Sequence, residues 1–435
     1  MGDKRNVALV ALLVLLVYPI QAFAGWDFSY RNLSQVKKGR FVGYEAPTNQ
    51  YFSLGLSKLP VESSFQTDFK VFINDERDSY QFDLYQAVLY IEPVESLKIE
   101  GGRQWLSEAF DVALLDGLKL SVTPDSGYLN FSVYAGGNHY YEEGNVTQGE
   151  EGLLVGTAVN LQNVKDTSAR FAARWRKADA VVSDWGWNDT IFLGLDASHR
   201  FSDAWATPNL YGNIEGDVAG KVVDTGTLGL QLYPHWRLAL AFDGNYYNVS
   251  RSSAYETIFA DYFTGRIMEG SANARVKIMK NLHIFEDLSC LRYTPRNLNP
   301  KNGYLFDLGV DNYFERAKLS TLAKFYYLKS YGGHVYGGYL ALDARYREKW
   351  AGYLDFDLSN YKKITGQSDT ATSLVGGVAY WFNKISKLSL GGELNHNQWF
   401  NRDARLTVDL EIGLTSSDYT PNKRSKRIDR RFHEI

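Results

Sequence analysis

The side chains able to do chemistry in this 435-residue chain are widely scattered. Its histidines, His139, His199, His235, His283, His334, His396 and His433, have no i, i+4 or other spacing that would bring imidazoles onto one metal ion. No Gly-x-Ser-x-Gly elbow occurs, and the single cysteine, Cys290, has no neighbouring His or Asn signature to activate it and no partner for an internal disulfide. No catalytic centre, metal or cofactor is expected, and the chain does not read as an enzyme. What stands out instead is charge at alternate positions: Asp307, Asp311, Asp355, Asp357, Asp409 and Glu411, with Arg237 and Arg405 among them. Side chains so spaced can pair across neighbouring strands, or ring a wet lumen and set its ion preference. Acidic side chains outnumber basic ones at these positions, which in the second case predicts a weak preference for cations.

The elements that must carry these charges are strands. Phe65, Thr67, Phe69, Val71 and Ile73 alternate with Gln66, Asp68, Lys70, Phe72 and Asn74, and Leu406, Val408, Leu410, Ile412 and Leu414 alternate with Arg405, Thr407, Asp409, Glu411 and Gly413. The same period of two returns along the whole chain in segments of about ten residues, the length that crosses a tilted membrane wall, whereas sandwich strands average about five or six. The composition agrees, with 30 Tyr, 24 Phe, 10 Trp and 38 Gly against 10 Pro and 3 Met. Mean hydropathy is only −0.31, as expected when lipid-facing and lumen-facing side chains average out. The reading is an all-β, antiparallel up-and-down transmembrane barrel of about 20 strands, range 18 to 22, with an even number expected. The longer polar connections near 142–151, 177–188, 248–262, 294–302 and 362–372 are expected outside the cell, and none is long enough for a plug. Paired aromatics such as Tyr246-Tyr247, Tyr326-Tyr327, Tyr380-Trp381 and Trp399-Phe400 are expected in interfacial girdles.

The ends add an address. Asp3, Lys4 and Arg5 precede an apolar run from Val7 to Val17, then Pro19 and Ala22-Phe23-Ala24, which reads as a cleavable signal peptide over 1–24. Its removal moves the net charge from −3 to −4, and neither this balance nor any basic cluster in the body suits nucleic acid. The barrel is expected over 25–414, in the outer membrane of a Gram-negative bacterium and in contact with its lipid. A tail over 415–435 with Lys423, Arg424, Lys426, Arg427, Arg430 and Arg431 is expected in the periplasm, where it could meet an anionic envelope component or a periplasmic protein. Trimers are frequent among such barrels, so a homo-oligomer is admissible on fold analogy alone.

The segment 97–120 interrupts the rhythm. It runs to Gly101-Gly102-Arg103-Gln104, passes through an apolar excursion containing Asp111, and re-enters a strand at Asp116-Gly117. This arrangement resembles large bacterial porin-like and exopolysaccharide-export barrels. The resemblance implies a barrel whose Arg103 faces the substrate; from the residues alone, the excursion could narrow the pore, with Arg103, Asp111 and Asp116 as constriction candidates, or Arg103 could equally pair with Asp111 or Asp116 to pin a loop. Three functions follow as expectations: a passive or weakly selective diffusion channel, a sheath for a multihaem cytochrome that would bring all the haem itself, and a polysaccharide exporter.

Overall fold

A computed structural model describes residues 25–416 apart from 39–43, 60–61, 75–78, 107–112, 125–126, 140, 143–144, 147–151, 178–189, 249–264, 296–298, 331, 348, 364 and 398–402. The expected signal peptide, nearly all of the tail, Asp111 and the Trp399-Phe400 pair lie outside the described residues.

The chain begins with β1 (Gly25–Lys38), β2 (Tyr44–Glu45), β3 (Thr48–Leu59), β4 (Ser63–Asn74), β5 (Ser79–Val94), β6 (Leu97–Leu106), β7 (Ala113–Val122) and β8 (Leu129–His139). It continues through β9 (Tyr141–Glu142), β10 (Asn145–Val146), β11 (Gly152–Val164), β12 (Thr167–Arg176), β13 (Thr190–Arg200), β14 (Asn209–Asp217), β15 (Val222–His235), β16 (Leu238–Asn248) and β17 (Gly265–Met279). It ends with β18 (Leu282–Pro295), β19 (Lys301–Phe314), β20 (Leu319–Ser330), β21 (Gly333–Tyr346), β22 (Trp350–Lys363), β23 (Ser368–Trp381), β24 (Lys387–His396) and β25 (Asp403–Thr415). Without the two-residue β2, β9 and β10, 22 strands pair antiparallel, each with its neighbours in sequence. Tyr30 of β1 lies opposite Phe52 of β3 and also opposite Ile412 of β25, so the sheet closes on itself and has no free edge. A ten-residue strand tilted by about 40° rises roughly 25 Å, the height of a membrane's apolar band.

The strand number lies at the top of the expected range because several hairpins turn without Gly or Pro. Lys165 and Asp166 make one such turn, both with positive φ of 47° and 63°, the backbone twist that suits a two-residue hairpin. The two-residue turns 95–96, 165–166, 236–237 and 280–281 lie at the end where β1 starts and β25 finishes. The longest connections, 177–189 and 249–264, lie at the other end, although strands extend further than expected there: β22 reaches Lys363 and β23 resumes at Ser368.

Register separates the two faces. Leu118, Leu228, Phe242, Leu308 and Leu406 are exposed on one face, which is the lipid-facing exterior. At the short-turn end Trp205, Trp236, Phe314, Tyr346, Trp350 and Phe382 are also exposed, forming an aromatic rim suited to an interface. The adjacent aromatic pairs do not both join a girdle, because period two sends one ring each way. Tyr246, Tyr327 and Tyr380 share the face of Phe242, Phe325 and Val378, while Tyr247, Tyr326 and Trp381 point inside.

Candidate functional site

The inner wall is where charge collects, and it is built in two ways. In β5 to β11 the register aligns Val88, Gly102, Gly117, Gly136 and Leu154 in one inward row. A Cβ on Gly117 would collide with the Ala135 carbonyl oxygen and lie 2.7 Å from the Gly136 Cα, so only glycine permits these backbones to approach so closely on the inner face. The wall takes a sharp kink there, concave to the lumen, and its inward side chains converge. Leu106, Leu115, Tyr134 and Leu154 pack into an apolar cluster inside the barrel. Beside it Lys119 Nζ lies 3.9 Å from Glu100, and Lys98 Nζ lies 3.8 Å from Glu100 and 5.0 Å from the Tyr90 ring. Lys70 Nζ reaches Asp83 at 3.3 Å. Glu100 and Asp83 are each only 1% exposed, so these charges serve a dry core rather than a conduit.

Further round, β12 presents Arg170, Arg174 and Arg176 inward, alternating with the outward Phe171 and Trp175. The Arg174 and Arg176 guanidiniums lie 5.3 and 5.6 Å from the Phe192 ring, and Arg170 Nε donates to Asn160 Oδ1 at 2.6 Å. This cationic strand was readable from its alternation, yet the acidic majority elsewhere hid it.

From β16 to β22 the inner wall is more open, and towards the seam at β25 it closes again over Asp409. Asp307 is 3.0 Å from Lys324 Nζ. Asp311 meets Arg275 Nη2 at 2.6 Å and His283 Nδ1 at 2.8 Å. Asp357 accepts the Tyr326 hydroxyl at 2.7 Å, and Asp355 lies inward beside it, opposite Ala341 and Val375. Arg405 pairs with Asp403 at 2.8 Å and lies 3.7 Å from Glu393. At the closing seam Asp409 accepts two bonds from Arg31, at 2.9 and 3.0 Å, while Glu411 lies 3.5 Å from Arg31 and 3.1 Å from Lys387. Seven expected wall residues, Asp307, Asp311, Asp355, Asp357, Asp409, Glu411 and Arg405, therefore face inward, all but Asp355 with a partner named here.

Three expected positions are placed otherwise. Arg103 and Asp116 lie opposite each other in the register, on the face shared by the outward Leu118 and Leu89, not on the lumen side. The Gly102 row turns its own face inward and thereby sends its odd-numbered neighbour out. Arg103 then satisfies itself locally, donating to Asp116 at 2.7 and 2.5 Å and to the Leu84 carbonyl at 3.2 Å, a fork that neutralises both charges against the apolar surround. Arg237 is not on a strand: β16 begins only at Leu238, and the exposed guanidinium sits in the turn, 4.4 Å from the Trp236 ring.

No protein-family model and no curated protein matches the chain. Among solved structures it resembles the siderophore receptor PirA from Pseudomonas aeruginosa, with TM-score 0.56 and 11% identity over 89% of this chain and 80% of that one. It also aligns with the P pilus usher PapC translocation pore, at TM-score 0.48 and 10% identity over 90% of this chain and 100% of the other. The outer membrane protein OpdK from Pseudomonas aeruginosa aligns at TM-score 0.46 and 8% identity, over 90% and 99%. The likeness to PirA shows the fold of this chain: a large β-barrel of the outer-membrane type.

Proposed function

We propose that this chain is a diffusion channel in the outer membrane of a Gram-negative bacterium, passing small hydrophilic solutes and ions with a mild preference for cations. The observation that carries this reading is the open, ionic inner wall from β16 to β22 within a closed 22-strand barrel. A barrel of this size is too wide for side chains alone to fill, so its lumen holds either water or a plug. Asp307, Asp311, Asp355 and Asp357 line that open sector and bias the potential there towards cations. In this reading residues 1–24 direct export and are cleaved after Ala24, and the basic stretch 423–431 meets an anionic envelope component in the periplasm; the N-terminus of the mature protein is checked by mass spectrometry.

The test is single-channel conductance of the refolded protein in a planar bilayer under a salt gradient. A stable conductance with a cation-selective reversal potential is expected, and Asp307→Lys with Asp357→Lys should move that potential towards anions. A folded barrel that stays closed would overturn the channel. It would favour the reading that strand number also allows, a barrel filled in the cell by a periplasmic electron carrier such as a multihaem cytochrome, or by an exported polymer.

A further inference from the structure

The inner face of β18 to β21 departs from the polar lining that a wet lumen favours. Phe285, Leu305, Leu322, Leu328 and Val335 all point inside, by the same register that sends Leu288, Phe306, Leu308 and Leu340 out. They line a cavity of about 610 Å³, well within the range of small-molecule sites. Asp287, Asp307 and Asp357 stand in the same cavity with Lys324 as the cation beside them. Asp287 lies directly opposite Asp307 on the neighbouring strand, an arrangement of like charges that costs a sheet stability. Lys324 approaches Asp307, and the Tyr326 hydroxyl engages Asp357, which leaves the cavity with more negative than positive charge over an apolar floor.

We propose that this cavity is a subsite for organic cations with an apolar body, amines bearing an aliphatic or aromatic group of about six carbons. The carboxylates take the ammonium and the Phe285 and leucine floor takes the hydrocarbon. A bare metal cation would leave the floor unused, a sugar would pair poorly with it, and an anion would meet three carboxylates. The subsite rests on the channel reading only for its place in a transport route; its chemistry is that of the wall itself.

Two measurements separate the subsite from the channel. The first is block of potassium chloride current by n-hexylammonium, ethylammonium and hexanoate; the second is retention of labelled n-hexylamine by barrels in lipid nanodiscs above that of empty nanodiscs. Hexylammonium should block at least about tenfold more tightly than ethylammonium, because each buried methylene strengthens binding severalfold, and hexanoate should not block. Asp287→Asn with Asp307→Asn should weaken hexylammonium about tenfold, and Leu305→Ser with Leu328→Ser should bring it down to ethylammonium, with the wild-type ligand series deciding should either variant not fold. Equal block by the two amines, comparable block by hexanoate, or no retention above empty nanodiscs would overturn the subsite, including the case where another part of the chain fills the cavity. Conductance without retention removes the subsite and leaves the channel, whereas retention by a closed barrel keeps the subsite and removes the channel.

Discussion

Strands β4 to β8 and strands β16 to β22 share one ladder pattern and both put charges inside, yet the charges do different work. In the first sector Lys70, Asp83, Glu100 and Lys119 are at least nine-tenths buried, with Tyr90 opposite Glu100 and Tyr134 opposite Lys119. In the second, the Arg275 side chain is 56% exposed and its partner Asp311 27%. The difference comes from the backbone before it comes from the charges. Gly102, Gly117 and Gly136 let three neighbouring strands approach closely on the inner face at a sharp kink of the wall, so inward side chains meet one another and exclude water. Strands β16 to β22 have no matching inward row of glycines on adjacent strands, and their inward side chains spread around a wider arc. One sector is a core that happens to face a lumen, and the other is a lining.

The largest expected effect breaks the kink itself. Gly117→Val places a branched side chain against the Ala135 carbonyl and the Gly136 backbone, neither of which can rotate away. It should cost about 3 kcal/mol, read as a fall in the urea midpoint of unfolding in lipid vesicles. Gly270→Val in β17 has open space around its Cβ and should leave that midpoint nearly unchanged. Equal midpoints for the two variants would show that the glycine row has no role in shaping the wall.

A smaller effect separates the two kinds of ion pair. Lys70→Met takes the counter-charge from Asp83 in a dry site, where the Gln81 amide still donates to it, and should cost about 3 kcal/mol, with part regained when Asp83→Leu is added. Arg275→Met breaks a closer contact, 2.6 Å against 3.3 Å, yet should cost under about 1 kcal/mol because water already screens it. It should instead shift the reversal potential, which Lys70→Met should not. Should Arg275→Met destabilise the barrel as much as Lys70→Met, the open sector is drier than its exposures indicate.

The barrel was legible because alternation survives averaging: Leu406 to Leu414 point out and Arg405 to Glu411 point in, as their spacing requires. The alternation misleads where the backbone inserts a residue. In β5 the register slips between Asp68 and Phe69 of its partner, so Tyr85 is extra and the outward series Phe82, Leu84 resumes at Ala87, Leu89. Arg103 stayed open between facing the lumen and pairing with Asp116 for a related reason, since a glycine-rich strand carries few side chains from which to tell its faces; the structure shows the pairing. The acidic wall was visible residue by residue, but not which acids pair. Nothing in the spacing of Arg31 and Asp409, 378 residues apart, announces the two hydrogen bonds that close the seam. Nor does a leucine such as Leu305 reveal that it faces inward until the strands beside it are known.

The smallest effect lies at the rim, outside both sectors, where the turn bearing Lys280 meets the turn bearing Glu315. Their side chains are 2.7 Å apart and largely in water. Hydrogen bonds from Lys280, then from Asn281, hold the Glu315 carboxyl below its ordinary range, and the bond to Glu315 raises the Lys280 ammonium above its own. A carboxyl depressed on folding stabilises the fold above its unfolded pKa and loses that contribution as pH falls through its folded pKa; a raised ammonium stabilises below its unfolded pKa and loses the contribution as pH rises through its folded pKa. The pair should therefore add a small increment at neutral pH that fades in acid as Glu315 protonates and in strong base as Lys280 deprotonates. Comparing wild type with Lys280→Met in urea unfolding across pH should show a gap near neutrality that closes at both extremes and narrows in high salt. A gap that persists in acid and in high salt would mean that Lys280 supports the turn through packing, and that the rim behaves like the buried sector rather than the open one.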